Sequence, residues 1–179
     1  MSTPRDSAPS PTGSAAPVLA SAAHGAAAQA LAERVVADML AHDAFSRWLG
    51  AEVVAIAPHH AELRMAVRDD MVNGFGVCHG GVTFALADSA LAFASNTRGT
   101  VTMSIENAIG YPAPARPGDV LTAVCEPDTP GRRVGFYRVQ VTNQRGEAVA
   151  HFRGTVYDTG RPHAALAAPA RGGDPSSES

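Results

Sequence analysis

The chain has 179 residues, 45% of them hydrophobic and 17% charged, with a formal net charge of -3 and a pI near 6.1, a composition that fits one folded domain. No basic patch or stripe stands out, which argues against nucleic acid as a partner, and no apolar run approaches the roughly 20 residues of a membrane-spanning helix. Two cysteines, Cys78 and Cys125, lack metal-ligand spacing and argue for a reducing, cytoplasmic setting without a disulfide framework.

Residues 1–25 are rich in Ala, Ser and Pro and hold four prolines, which predicts a disordered tail with neither a regular helix nor a secretory signal. The folded domain is expected over residues 26–160. Residues 26–42 place Leu31, Val35 and Met39, joined by Val36 and Leu40, at helical spacing. Residues 51–57 read as a strand and Pro58-His59-His60 as the turn after it. Ala61, Leu63, Met65 and Val67 then alternate with Glu62, Arg64, Ala66 and Arg68, the pattern of a half-buried strand.

Residues 70–78, DMVNGFGVC, form a glycine-punctuated loop. A long, almost wholly apolar helix is predicted from His79 to Gly99, with Gly99 as its C-cap. Four strands follow: residues 100–110, Val120–Cys125, Val134–Thr142 and Ala148–Tyr157. Prolines at 112, 114 and 117, the turn Thr129-Pro130-Gly131 and the hairpin Asn143-Gln144-Arg145-Gly146 separate them. Residues 161–179 are expected to form a second disordered tail. Short links between consecutive strands favour antiparallel pairing, and a helix apolar on all sides belongs in a core. The prediction is an α+β domain in which one antiparallel sheet wraps around one long helix, a hotdog fold. One sheet cannot enclose a helix on every side, which is the physical reason behind the homo-oligomer, a dimer or a dimer of dimers, that resemblance to hotdog proteins implies.

Asp88 is the anomaly of the long helix. Its neighbours Ala85, Leu86, Ala87, Ala90, Leu91, Ala92 and Phe93 are all apolar, and an unpaired buried carboxylate is costly unless it has partners or does chemistry. The helix start, Cys78-His79-Gly80-Gly81, supplies the complementary group. The first N–H groups of a helix lack internal partners and favour a developing anion, and glycine admits a ligand close to the backbone. The N–H of Gly81, or its neighbour, is placed to polarise a carbonyl oxygen. Asp88 lies two turns further on, roughly 10 Å by helical rise, too far to share one substrate atom within one chain. A composite site, with Asp88 of one copy beside Gly81 of another, resolves the spacing.

The segment MVNGFGVCHGGVTFALADSALAFASN, with RPGD at 116–119 and VGFYRVQVTNQRGEAVAHFRG at 134–154, resembles the PaaI-type acyl-CoA thioesterases of the phenylacetate pathway, which are hotdog proteins. The likeness covers residues 35–158, about the whole folded part. It implies that Asp88 is the catalytic carboxylate, as nucleophile or as base for water. It implies that Gly81 is the backbone donor to the thioester carbonyl, that Asn73 holds that oxygen or the helix entrance, and that His79 lines the site. Ser104 corresponds to a serine that orients the attacking water, with Ser89 as the nearby alternative, and Gly80 gives the substrate access to the helix start. Arg132, Arg133 and Arg153 are candidates for holding the phosphates of coenzyme A, which is part of the substrate; no separate cofactor is implied. Phe75-Gly76-Val77 departs from relatives and bears on acyl specificity, for which an aromatic, phenylacetyl-type group is the expectation.

Rival readings are weaker. Cys78-His79 has no second cluster to complete a metal site, and Cys78 as nucleophile has no base beyond His79. Hotdog hydratases, which resemble this chain in fold, are the nearest enzymatic rival. The alternative from another class is a non-catalytic module that binds acyl-CoA without turnover.

Overall fold

The computed structural model describes residues 16–129 and 131–166, with side chains of the first helix from residue 24 onward. Its elements run α1 (Ala16–His42), α2 (Ala44–Leu49), β1 (Glu52–Ala57), β2 (His60–Ala66), α3 (Gly80–Asn96), β3 (Thr100–Gly110), β4 (Val120–Thr129), β5 (Val134–Thr142) and β6 (Ala148–Pro162). The six strands form one antiparallel sheet in the order β1-β2-β4-β5-β6-β3. Helix α3 packs against five of them, β2 to β6. This is the hotdog arrangement.

Period-two alternation builds the inner face of the sheet. Leu63 and Met65 on β2, Leu121 and Ala123 on β4, Val139 and Val141 on β5, and Phe152 on β6 are buried together with Leu86, Leu91 and Phe93 of α3. Phe84 of α3 meets Phe152 edge-on, ring centroids 5.3 Å apart, a favoured aromatic geometry. No helix among the described residues is long and apolar enough to cross a membrane.

Several boundaries differ from the sequence reading; β4, for one, runs on to Thr129 past the expected end at Cys125. Helix α1 begins at Ala16, ten residues before the expected start. Pro17 falls in its first turn, where an amide hydrogen has no helical use; residues 1–15 lie outside the described part. The short helix α2 was not expected. Asp43 caps it, its Oδ1 accepting the Ser46 N–H at 2.9 Å, and Gly50 closes it at φ 79. Helix α3 ends at Asn96 rather than at Gly99. The Asn96 side chain explains the stop: it accepts from Thr102 N at 2.9 Å and donates to Thr102 O at 3.0 Å, closing the chain onto the start of β3.

At the C-terminal end, β6 continues to Pro162, with Thr100 opposite Pro162. A 3-10 turn, Ala164–Leu166, follows. His163 N donates to Gly99 O at 2.8 Å, and a Cβ added at Gly99 would lie 2.8 Å from Leu166 Cδ1. The folded part therefore extends past residue 160, and the rest of the expected tail, from 167, lies outside the described residues.

Candidate active site

The loop before α3 is organised by Asn73. Its Oδ1 accepts the Phe75 N–H at 2.9 Å, its backbone N–H donates to Val77 O at 2.8 Å, and its carbonyl accepts from Gly76 N at 3.0 Å. Cys78 N donates to Ala115 O and His79 N to Met71 O, which pins the chain where the helix starts. His79 is the N-cap, and its Nδ1 accepts the Gly81 N–H at 2.9 Å. That bond corrects the expectation for Gly81: its N–H is already used by the cap. The Gly80 N–H has no acceptor among the described residues, so Gly80 is the open donor of the helix start.

Tyr111, at the end of β3, was not anticipated. Its hydroxyl donates to Gly80 O at 2.8 Å, and its ring lies against the glycine so closely that an added Cβ would sit 3.2 Å from the phenol carbon. Beside it, a hollow of about 370 Å³ is lined by Asn73, Val77, Gly80, Thr83, Tyr111 and Val149 among others. Cys78 also borders the hollow, with its thiol pushed up mainly by burial. Asn73 and Gly80 thus line one cavity.

Asp88 is half-buried on the side of α3 that carries Gly81, Ala85 and Ala92, none of which is fully covered. Its Oδ1 accepts from Asn107 Nδ2 at 2.9 Å. Burial pushes the carboxyl up and the Asn107 hydrogen bond pulls it partly back. Asn107 Oδ1 in turn accepts the Ser104 hydroxyl at 2.8 Å. Ser104 therefore reaches Asp88 through Asn107, a residue the sequence reading missed.

The remaining candidates lie elsewhere. Ser89 is buried, and its hydroxyl meets Ser46 Oγ at 2.8 Å; Ser46 donates to Asp43 Oδ2. With the Ser46 proton committed to Asp43, Ser89 is the donor, and it ties α3 to α2 rather than facing the carboxylate. Arg132 and Arg133 are exposed ahead of β5, and Arg133 Nη1 donates to the Tyr157 hydroxyl at 3.0 Å. Arg133 shares a small cavity with Ser95 and Arg98 at the C-terminal end of α3, roughly 22 Å by helical rise from Gly80. Arg153 is exposed on β6, opposite Arg138 and Ala108. One chain does not bring these arginines to Asp88.

A hotdog sheet around a helix with a carboxylate at mid-length is the frame of a thioester-cleaving enzyme, and the sequence comparison agrees. Residues 75–150 match the family model of the thioesterase superfamily, and the chain belongs to that superfamily. The acyl-coenzyme A thioesterase PaaI of Escherichia coli (strain K12) is 34% identical over 122 residues, covering 68% of this chain and 87% of the relative. The solved structure of the E. coli PaaI protein aligns with a TM-score of 0.73 at 32% identity, covering 75% of this chain and 97% of that one. A Streptococcus mutans UA159 protein solved bound to acetyl CoA aligns with a TM-score of 0.61 at 28% identity, covering 63% and 90% of the two chains.

Proposed function

We propose that this protein hydrolyses acyl-CoA thioesters to a free acid and CoA, at sites shared between two copies of the chain. The observation that carries the reading is Asp88, a half-buried carboxylate in mid-helix whose hydrogen-bond partner is the neutral amide of Asn107. Such a group is expensive as structure and useful as chemistry.

Gly80 and Asp88 stand eight residues apart on α3, roughly 12 Å by helical rise, so one chain alone does not hold a thioester between them. The side of α3 that bears Asp88 is not fully covered, and β3 is an edge strand with Met103 and Ile105 exposed. Both features support a two-fold partner whose α3 runs antiparallel, bringing Asp88 of one copy to Gly80 of the other. A dimer of such dimers is the larger assembly proposed.

In this site the thioester oxygen accepts the Gly80 N–H at the positive end of the helix, which stabilises the charge that develops there. Asp88 Oδ1 is held by Asn107, leaving Oδ2 for reaction. Acting as base, it takes a proton from water as the water oxygen bonds to the carbonyl carbon. The tetrahedral oxyanion then collapses, the C–S bond breaks, and the CoA sulfur leaves with the proton that Asp88 returns. Acting as nucleophile, the same oxygen bonds to the carbonyl carbon, the C–S bond breaks and CoA leaves as the thiolate. Water then hydrolyses the mixed anhydride to the free acid and the Asp88 carboxylate. Label from oxygen-18 water in the Asp88 carboxylate after a single turnover requires the anhydride and establishes the nucleophilic route.

His79 and Asn73 act by holding the helix start and its loop. Arg132, Arg133 and Arg153 are the proposed phosphate anchors for CoA, whose own groups make a further cofactor unnecessary. The hollow beside Gly80, walled by Val77, Tyr111, Pro112, Pro114 and Val149, suits an apolar acyl group, and a phenylacetyl-type group is the proposed preference. The test is thiol release from phenylacetyl-CoA beside acetyl-CoA and straight-chain acyl-CoAs. Release that is fastest with the aromatic substrate is expected. Binding of these substrates without release from any of them overturns the reading in favour of a non-catalytic acyl-CoA-binding module.

A further inference from the structure

Strand β3 carries one more residue than its partner between two successive pairs: Ser104 is opposite Val156, and Glu106 is opposite Thr155. Ile105 is the extra residue, a bulge that resets the alternation of the strand. Ser104 and Asn107, three apart in sequence, consequently stand opposite Val156 and Gly154, two residues of the inner, buried row of β6. Gly154 makes the room. A Cβ there would lie 3.0 Å from Asn107 Oδ1 and 2.4 Å from Leu91 Cδ2, so a side chain at 154 would displace the amide or the core leucine.

The hydrogen-bond directions fix one another. An ionised carboxylate only accepts, so Asn107 turns its Nδ2 toward Asp88 and leaves its Oδ1 for the Ser104 proton. Ser104 is itself exposed, so its lone pairs remain available to accept from a water. We propose that Asn107 is the positioning residue of this site, fixing which oxygen of Asp88 is free to react and which way the Ser104 hydroxyl points. The inference rests on Asp88 being the catalytic carboxylate and adds the residue that orients it.

Asn107 also acts on the charge of Asp88. Burial and the Asn107 hydrogen bond are the two causes acting on that carboxyl. The other titratable groups around α3 are His79 at its N-cap, Cys78 and Tyr111 against its first turn, His59 beside Arg98 at its far end, Cys125 on β4 and Tyr137 on β5. Burial pushes the Cys125 thiol far up and Tyr137 up to about 12, so neither changes charge where a carboxylate titrates. Removing the amide leaves burial unopposed, and Asp88 then holds its proton to higher pH.

The experiment uses Asn107→Ser and Asn107→Leu in the full chain, with Asp88→Asn alongside, assayed by thiol release across pH. The serine is too short to reach Asp88, and the half-buried edge-strand position accommodates it; leucine fills the volume of the amide without its polarity. Loss of a hydrogen bond to a charged group predicts a fall in kcat of about tenfold or more, with KM within about twofold and the acid limb of kcat/KM moved to higher pH. A lowered melting temperature with kcat and acid limb unchanged marks a merely structural residue and overturns the inference. If Asp88→Asn is inactive while both Asn107 variants work normally, the carboxylate reading stands and this inference falls. If Asp88→Asn retains normal turnover, the carboxylate reading itself falls, and this inference with it.

Discussion

Replacing Gly80 by proline isolates one hydrogen atom. Gly80 is the first residue of α3, and its N–H has no acceptor among the described residues. Proline is well tolerated at this position, since the missing N–H serves no helical bond, and the preceding residue must be extended; His79 already is, at φ -62 and ψ 132. The ring does add carbon where a Cβ would meet the Tyr111 phenol at 3.2 Å, so Gly80→Ala serves as the control that adds the carbon and keeps the N–H. One oxyanion donor is worth about 3 kcal/mol, or a factor of 10² to 10³ in kcat. The expected result is that Gly80→Pro is slower than Gly80→Ala by about that factor, with comparable melting curves. The same change at Gly81 is not equivalent. It deletes the bond to His79 Nδ1, costs about 1 kcal/mol of capping, and places a helical residue before a proline. Thiol release by the two Gly80 variants decides the matter: equal rates would refute the assignment of the carbonyl donor to Gly80.

Asp88→Asn should lower turnover by about 10² or more, the scale of a general base. It should also stabilise the fold at neutral pH: burial raises the folded carboxyl above its unfolded value, so the wild type loses stability as pH rises through that window. The melting difference should close toward acid, where both forms are neutral; a wild type more stable than the variant at pH 7 would contradict the burial argument. Gly154→Ala forces a methyl to 2.4 Å from Leu91 Cδ2, an overpacking expected to cost about 2 kcal/mol and lower Tm by about 4–8 °C, checked by calorimetry. Asp119 is buried and accepts from Arg116 N at 2.8 Å, Gln144 Nε2 at 2.9 Å and Arg145 Nη1 at 3.1 Å, which hold its carboxyl below the usual range. Asp119→Ala should cost about 2 kcal/mol in urea unfolding at pH 7 and less as pH falls through the lowered folded value, with turnover per folded molecule unchanged.

The architecture was legible because its signals are local. Strands β3 and β5 have the bounds that alternation and turn residues predict, 100–110 and 134–142. Helix α3 starts within a residue of the reading because His79-Gly80-Gly81 sits between a glycine loop and an apolar run. Its end was misplaced because Gly99, with φ 82, looks like a cap, while the Asn96 side chain does the stopping. Helix α2 was overlooked although Asp43 and Gly50 frame it; six residues carry too little periodicity to stand out. For the candidate site, residue type and motif point to Asp88, His79, Asn73 and Ser104. What spacing does not reveal is which N–H is spent. Gly81 and Gly80 are indistinguishable until the His79 ring takes one of them. Asn107 was hidden for another reason: plain alternation along β3 puts Ser104 and Asn107 on opposite faces, and only the extra residue at 105 aligns them.

That extra residue bears on how chains of this kind are compared. Without Ile105, the strand would return to simple alternation and still point Ser104 and Asn107 the same way, now two positions apart instead of three. A one-residue gap here leaves the carboxylate's support intact. A straightened strand of unchanged length would turn Glu106 inward in place of Asn107 and set one acid against another. At this point in the chain, column-by-column correspondence is a poor guide, and the facing residue on β6 is the better one.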